Sequence, residues 1–278
     1  MKRLIIILLL LCPFMPAAEE KSPSEVLELL HESYYDYDKF GLNRAACYVY
    51  SREFLSFVDP KVSKFLRRAK YEAVIKPGEP ITVQALKIPV EYNEEGKEGL
   101  KGYAKAIEDW LNEVHGHVDN VRKAMSPDGF LKDVPFQWKE GKEGRVMFFG
   151  EKPLFGNLDV VKSDKEPQKE SFEIHLTRSG QLDRFIARKA DHTEDMDFKV
   201  KKISKSWLLE EIDVTKTDLQ GRVLERNEVK FSYASKNKIY LIKKIMMRIL
   251  DAKGRITKRR DRPNPVSLDF TNYIVEVR

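Results

Sequence analysis

Residues 171–188 read Ser-Phe-Glu-Ile-His-Leu-Thr-Arg-Ser-Gly-Gln-Leu-Asp-Arg-Phe-Ile-Ala-Arg. Phe172, Ile174 and Leu176 alternate with Glu173, His175 and Thr177, the two-residue period of a strand with one buried face and one wet face. Arg178-Ser179-Gly180 supplies turn chemistry, and a second extended run follows. A parallel crossover needs a dozen or more residues, so strands this closely spaced pair antiparallel. The same texture fills the rest of the chain. Strands are predicted at 146–149, 158–161, 172–176, 182–188, 198–203, 207–214, 223–233, 239–250, 255–260 and 267–277, with turns such as Asp218-Leu219-Gln220-Gly221 and Asp251-Ala252-Lys253-Gly254 between them. Val229, Phe231 and Tyr233 alternate with Glu228, Lys230 and Ser232. A long meander must coil, and its apolar side must be covered. The expected class is α+β: a strongly curved antiparallel sheet, a half-barrel of roughly ten or more strands, with helices packed on its concave side.

The helices come from the first half. Ser22-Pro23-Ser24-Glu25 is a capping box with proline at the first helical position. Val26, Leu27, Leu30, Tyr34 and Tyr37 continue it as one apolar stripe, and Gly41 is the expected stop. Residues 44–58 look extended, and Asp59-Pro60 opens a short helix carrying Val62, Phe65, Leu66 and Ala69. Residues 71–75 and 81–90 read as strands around Pro77-Gly78, and 93–99 as a solvated loop. Leu100, Tyr103, Ala104, Ile107, Trp110, Leu111, Val114, Val118, Val121 and Met125 then trace a long helical stripe. This helical insertion near 93–129 is expected to lie across the sheet as a lid, with Ile107, Trp110 and Leu111 as its contact residues.

The first residues carry an address. Lys2-Arg3 precedes an apolar run at 4–14, and Ala17-Ala18 precedes Glu19-Glu20-Lys21. That is the pattern of a secretory signal peptide at 1–18, too short for the ~20 residues of a spanning helix. The expectation is an exported, periplasmic protein whose residues 19–278 form a single domain. In the alternative, Cys12 is acylated as the first residue of a lipoprotein, although Leu11 stands where a lipobox wants a small side chain. The segment holds Lys2 and Arg3 and no acid, so its loss lowers the formal charge from +6 to +4. Cys47 is then alone, without an internal disulfide partner, and its apolar flanks suggest a buried small hydrophobe.

No nucleophile elbow, P-loop, dinucleotide fingerprint, C-x-x-C or H-E-x-x-H is present. No catalytic residue, cofactor or enzyme activity is expected. His115-Gly116-His117-Val118-Asp119-Asn120 matches the start of the H-x-H-x-D-H metal motif of metallo-β-lactamase-type hydrolases. It falls inside the helical stripe, where residues two apart point about 200° from one another and cannot share an ion. A zinc hydrolase built on this segment is therefore a third reading. The acidic run 191–197 lacks the glycine that a calcium loop bends on, and reads as a solvated hairpin. Lys243-Lys244, Arg248 and Lys258-Arg259-Arg260-Asp261-Arg262 make the last third basic. They suit either an anionic headgroup or polyanion patch, with an acidic polymer or protein held by basic strands, or the wet face of edge strands. Nucleic acid is not an expected partner. Phe172, Ile174, Leu176, Trp207, Phe231 and Tyr233 are the candidate walls of an apolar cavity.

Taken in order, these features resemble the superfamily of periplasmic lipoprotein carriers and lipid-binding relatives (LolA, LolB, LppX and the N-terminal domain of RseB). The resemblance is carried by the signal peptide, the first helix with its Glu25-Val26-Leu27-Glu28-Leu29-Leu30 run, and the strand after it. The end of the chain adds Tyr240-Leu241-Ile242-Lys243-Lys244-Ile245 and the closing stretch 267–277. The 93–129 insertion departs from the family. The resemblance implies an eleven-strand half-barrel lidded by helices, with acyl chains of a lipid or lipoprotein held non-covalently in its cavity. An envelope protein partner is a further expectation, and the mild positive charge adds transient contact with an anionic membrane or cell-wall surface. It assigns no individual residue a role.

Overall fold

The structure is a computed structural model. It describes residues 22–33, 37, 39–57, 66–67, 69–86, 94–124, 136–140, 146–150, 171–204, 206–258 and 263–278. The expected signal peptide, Cys12, the strand expected at 158–161 and most of the helix expected after Pro60 lie outside these residues. No helix among the described residues is long and apolar enough to cross a membrane.

The helices are α1 (Pro23–Ser33), α2 (Arg52–Phe57) and α3 (Glu94–Ala124). The strands are β1 (Leu42–Tyr50), β2 (Lys70–Ile75), β3 (Thr82–Leu86), β4 (Phe136–Glu140), β5 (Val146–Gly150) and β6 (Ser171–Leu176). They continue with β7 (Leu182–Arg188), β8 (His192–Ile203), β9 (Ser206–Asp218), β10 (Val223–Lys236), β11 (Ile239–Leu250) and β12 (Val266–Val277). All twelve form one open, curled antiparallel sheet in the order β3-β2-β1-β12-β11-β10-β9-β8-β7-β6-β5-β4. From β4 to β12 each described strand pairs antiparallel with the next, which the short turns among β6 to β11 require. β1 then closes onto β12, so β3 and β4 are the two edges.

Four expectations are corrected. Residues 52–57 are helical rather than extended, because Ser51 caps a short turn: its Oγ accepts the Phe54 amide at 3.2 Å. Residues 94–99 belong to α3 rather than to a loop, with an exposed Lys97–Glu94 ion pair on the first turn. The acidic run is more than a turn: Asp191 lies between β7 and β8, and 192–197 are the first half of β8, where Asp195 and Glu194 pair with Arg184 and Lys189. Residues 255–258 form no strand, only a single bridge from Leu250 to Ile256. β4, made of Phe-Gln-Trp-Lys-Glu, was not anticipated.

The register sorts side chains by face. Directly paired residues share a face, so Phe198, Ile212, Val229, Met247 and Val266 form one continuous apolar row across five strands. Phe148, Ile174, Phe185, Met196, Val214, Asn227 and Ile249 form the neighbouring row. Val26 and Leu30 of α1, Phe54 and Leu55 of α2, and Leu100, Ile107 and Leu111 of α3 belong to the same apolar cluster as these rows. Cys47 is in it as well, and burial pushes its thiol up to about 12. It is the inert hydrophobe its flanks suggested.

The capping box forms as its sequence specifies. The Ser22 amide donates to Glu25 Oε2 at 2.6 Å, and the Glu25 amide to Ser22 Oγ at 3.3 Å. α3 has a second task. Asn112 Oδ1 accepts the Ile81 amide at 3.0 Å, and its Nδ2 donates to the Ile81 carbonyl at 2.9 Å. Glu108 Oε2 accepts the Val83 amide at 2.8 Å. Four helical residues advance ~6.0 Å and two strand residues ~6.6 Å, so residues 108 and 112 match 83 and 81. Side chains of the helix thus satisfy an edge strand whose backbone would otherwise invite another chain.

Candidate functional site

The apolar face of the sheet is the candidate site. Phe172, Ile174 and Leu176 on β6 are at most 1% exposed, and Phe231 on β10 is 9% exposed. All four are in the main apolar cluster, and half-buried Tyr233 packs against it. Trp207 is not brought in: it pairs with Lys202 at the end of the β8–β9 hairpin, with the Lys202 ammonium 5.4 Å from its ring centroid. β7, β8 and β9 separate β6 from β10. Along the sheet the candidates thus fall on β6, on β10 and, for Trp207, at a hairpin end.

α3 covers the β2 side of this face. Ile107, Trp110 and Leu111 are buried in the cluster. Tyr103 lies 4.7 Å from Tyr71 between ring centroids, and Phe54 meets Tyr103 and Trp110 edge-on at 6.5 Å. The Tyr103 hydroxyl donates to the Ser51 carbonyl at 3.0 Å, and burial holds its proton on. Glu53 Oε1 in turn accepts the Ser267 hydroxyl at 3.1 Å, fastening α2 to β12. α3 is pinned by this aromatic knot.

The sheet is parted at one end. The β9–β10 ladder stops at Lys230–Glu211, and the β11–β12 ladder spans only Lys244–Asp269 to Met247–Val266. The β10–β11 hairpin itself stays paired to its tip at Lys236–Ile239. Its last part therefore pairs with neither neighbouring strand. Tyrosines bridge both gaps: the Tyr233 hydroxyl donates to the Leu209 carbonyl at 2.6 Å, and the Tyr273 hydroxyl to the Ile242 carbonyl at 2.5 Å. Lys236 Nζ also donates to the Tyr273 carbonyl. Burial drives the Tyr273 phenol far above its ordinary pKa, so it stays a donor.

Asn227 is the polar member of an apolar row. Its Nδ2 donates to Glu225 Oε1 at 3.2 Å, while its buried Oδ1 has no hydrogen-bond partner among the described residues. The sequence analysis missed it. The signal was present, because extending the alternation of Val229, Phe231 and Tyr233 back by one step reaches position 227.

The remaining motifs gather no chemistry. His115, His117 and Asp119 lie within α3, so as positions the two histidines sit about 200° apart around its axis. Among the described residues no group of three or more His, Cys, Asp or Glu is arranged to hold a metal. The cations of the basic third that are described are partly neutralised, Lys244 by Asp269 at 3.3 Å and Arg248 by Glu228 at 4.0 Å. Arg259, Arg260 and Arg262 lie outside the described residues.

No family model, no curated protein and no solved structure matches this chain.

Proposed function

We propose that this is an exported, non-enzymatic carrier or sensor that binds the acyl chains of a lipid or lipoprotein between the apolar face of the sheet and α3. In this reading that face is the concave wall of a half-barrel, and the three helices roof it. The observation that carries the proposal is the parting of the strands. A sheet whose interior is permanently sealed gains by completing its ladders, since backbone groups left unpaired at an apolar face are costly. Here two ladders stop beside Phe231 and Tyr233, and among the described residues side chains, those of Tyr233, Tyr273 and Lys236, reach across the gaps in place of backbone pairs. An acyl chain entering there gains ~0.8 kcal/mol per buried CH2. Asn227 Oδ1 offers an acceptor for a hydroxyl or protonated carboxyl carried in with it.

The test is to express the full chain, purify it without detergent and extract bound lipid for mass spectrometry, alongside titration with a fluorescent fatty acid. Near-stoichiometric lipid or saturable uptake supports the reading; absence of both ends it. The rival in which basic strands grip an acidic polymer is weakened by the ion pairs at Lys244 and Arg248. A zinc enzyme would need ligands beyond the helical His115, His117 and Asp119.

A further inference from the structure

Asn227 sits on a border of the candidate face. Across the strands its row continues as Val214, Met196 and Phe185 on one side and as Ile249 on the other. The next row of this face toward the β7–β8 and β9–β10 turns holds Glu194, Lys216 and Glu225 as directly paired neighbours. The next row in the other direction holds Phe198, Ile212, Val229 and Met247. Directly paired residues share a face, so Asn227 is the step between a charged rim and an apolar field.

Chemistry orients the amide. The Glu225 carboxylate only accepts, so the arm that meets it at 3.2 Å is Nδ2, and Oδ1 is the arm left over. Oδ1 is buried and has no hydrogen-bond partner among the described residues. A buried acceptor without a donor is costly, and native structures keep few of them. Water is a poor remedy. A buried water needs about two to four polar partners, and the side chains of Phe185, Met196, Val214 and Ile249 give it none.

Resting on the acyl-binding reading, we propose that the site selects a chain with a hydroxyl along its hydrocarbon, and that this hydroxyl donates to Asn227 Oδ1. An ionised carboxylate has no proton to give. A protonated carboxyl or an amide brings a carbonyl as well, for which the row holds no donor. A lone hydroxyl gives its proton to Oδ1 and leaves only methylenes against the apolar rows. Its place on the chain follows from the strand. From Asn227 to Tyr233 at the parted end, β10 covers ~20 Å. A chain that enters tail-first through the gaps meets Oδ1 with a carbon remote from its carboxyl.

The experiment displaces a fluorescent fatty acid from the full chain with stearic, 2-hydroxystearic or 12-hydroxystearic acid. In a wholly apolar site a hydroxyl weakens binding, because it is buried without a partner. The sign of the difference is therefore diagnostic. The 12-hydroxy acid should bind about fivefold tighter than stearic acid, and the 2-hydroxy acid no tighter. Asn227→Leu should reverse the order, so that stearic acid is preferred, with its circular dichroism spectrum unchanged. A wild-type chain that binds the 12-hydroxy acid no tighter than stearic acid overturns the proposal and leaves the carrier reading standing. A 12-hydroxyl preference that survives in Asn227→Leu, or an equal gain from the 2-hydroxyl, overturns it too. Binding of none of the three acids ends the carrier reading, and this proposal with it.

Discussion

The hydroxyl of Tyr233 donates to the carbonyl of Leu209 at 2.6 Å across strands whose own ladder has already ended. One side-chain bond does the work of several backbone bonds there and holds the hairpin tip in place. Tyr233→Phe keeps the ring and removes the bridge. It should lower unfolding free energy by about 1 kcal/mol in urea. It should also speed exchange of a fluorescent fatty acid in stopped flow. Unchanged exchange with reduced stability would make the bridge purely structural.

Asn112 guards the opposite region. Asn112→Leu leaves both backbone groups of Ile81 without their partners at an edge strand. The expected loss is about 1–3 kcal/mol. Light scattering should rise in the same variant, because the freed edge can pair with another chain.

Gly180 separates a tight contact from ordinary turn strain. A Cβ there would lie 2.7 Å from backbone atoms of Leu29 and Leu30 in α1, and φ is +76°. At Gly221 φ is +78° and nothing lies within 4 Å. Gly221→Ala should cost about 1–2 kcal/mol from the backbone alone. Gly180→Ala should cost about 1–3 kcal/mol more, because α1 must shift off the sheet. Equal losses by urea denaturation would deny that α1 packs on the β6–β7 turn.

Glu194 links stability to pH. Burial raises its pKa, but hydrogen bonding and charge from Lys189 and His192 outweigh this and hold it below the ordinary value. A depressed folded pKa contributes stability above the unfolded value, ~4.3. That contribution is lost as pH falls through the folded value. Denaturation followed from neutral to acid pH should show this loss, and Glu194→Gln should flatten it in that window while lowering stability at neutral pH.

The meander was legible because alternation and turn chemistry are local. Phe172, Ile174 and Leu176 declare their face without knowing their neighbours, and the α3 stripe through Ile107, Trp110 and Leu111 is buried as its period requires. Pairing across long separations was not legible. Nothing near Asn112 announces that it completes an edge 31 residues earlier. Nothing near Tyr233 announces that a ladder stops beside it. Trp207 shows the limit of composition, since its size suggested core and its place at a hairpin end, opposite Lys202, made it rim. The acidic run at 191–197 read as a solvated hairpin without its ion pairs, because the cationic partners, Arg184 and Lys189, belong to the preceding strand and turn.

The most direct test of the acyl-binding account places a reporter beneath the lid. In a variant with Trp138→Phe and Trp207→Phe, Trp110 of α3 is the remaining tryptophan, and it is buried in the apolar cluster. Titration with brominated stearic acid should quench it saturably, with unlabelled fatty acid reversing the effect. Trp110 emission that stays constant, while the folded state is confirmed by circular dichroism, would contradict the account.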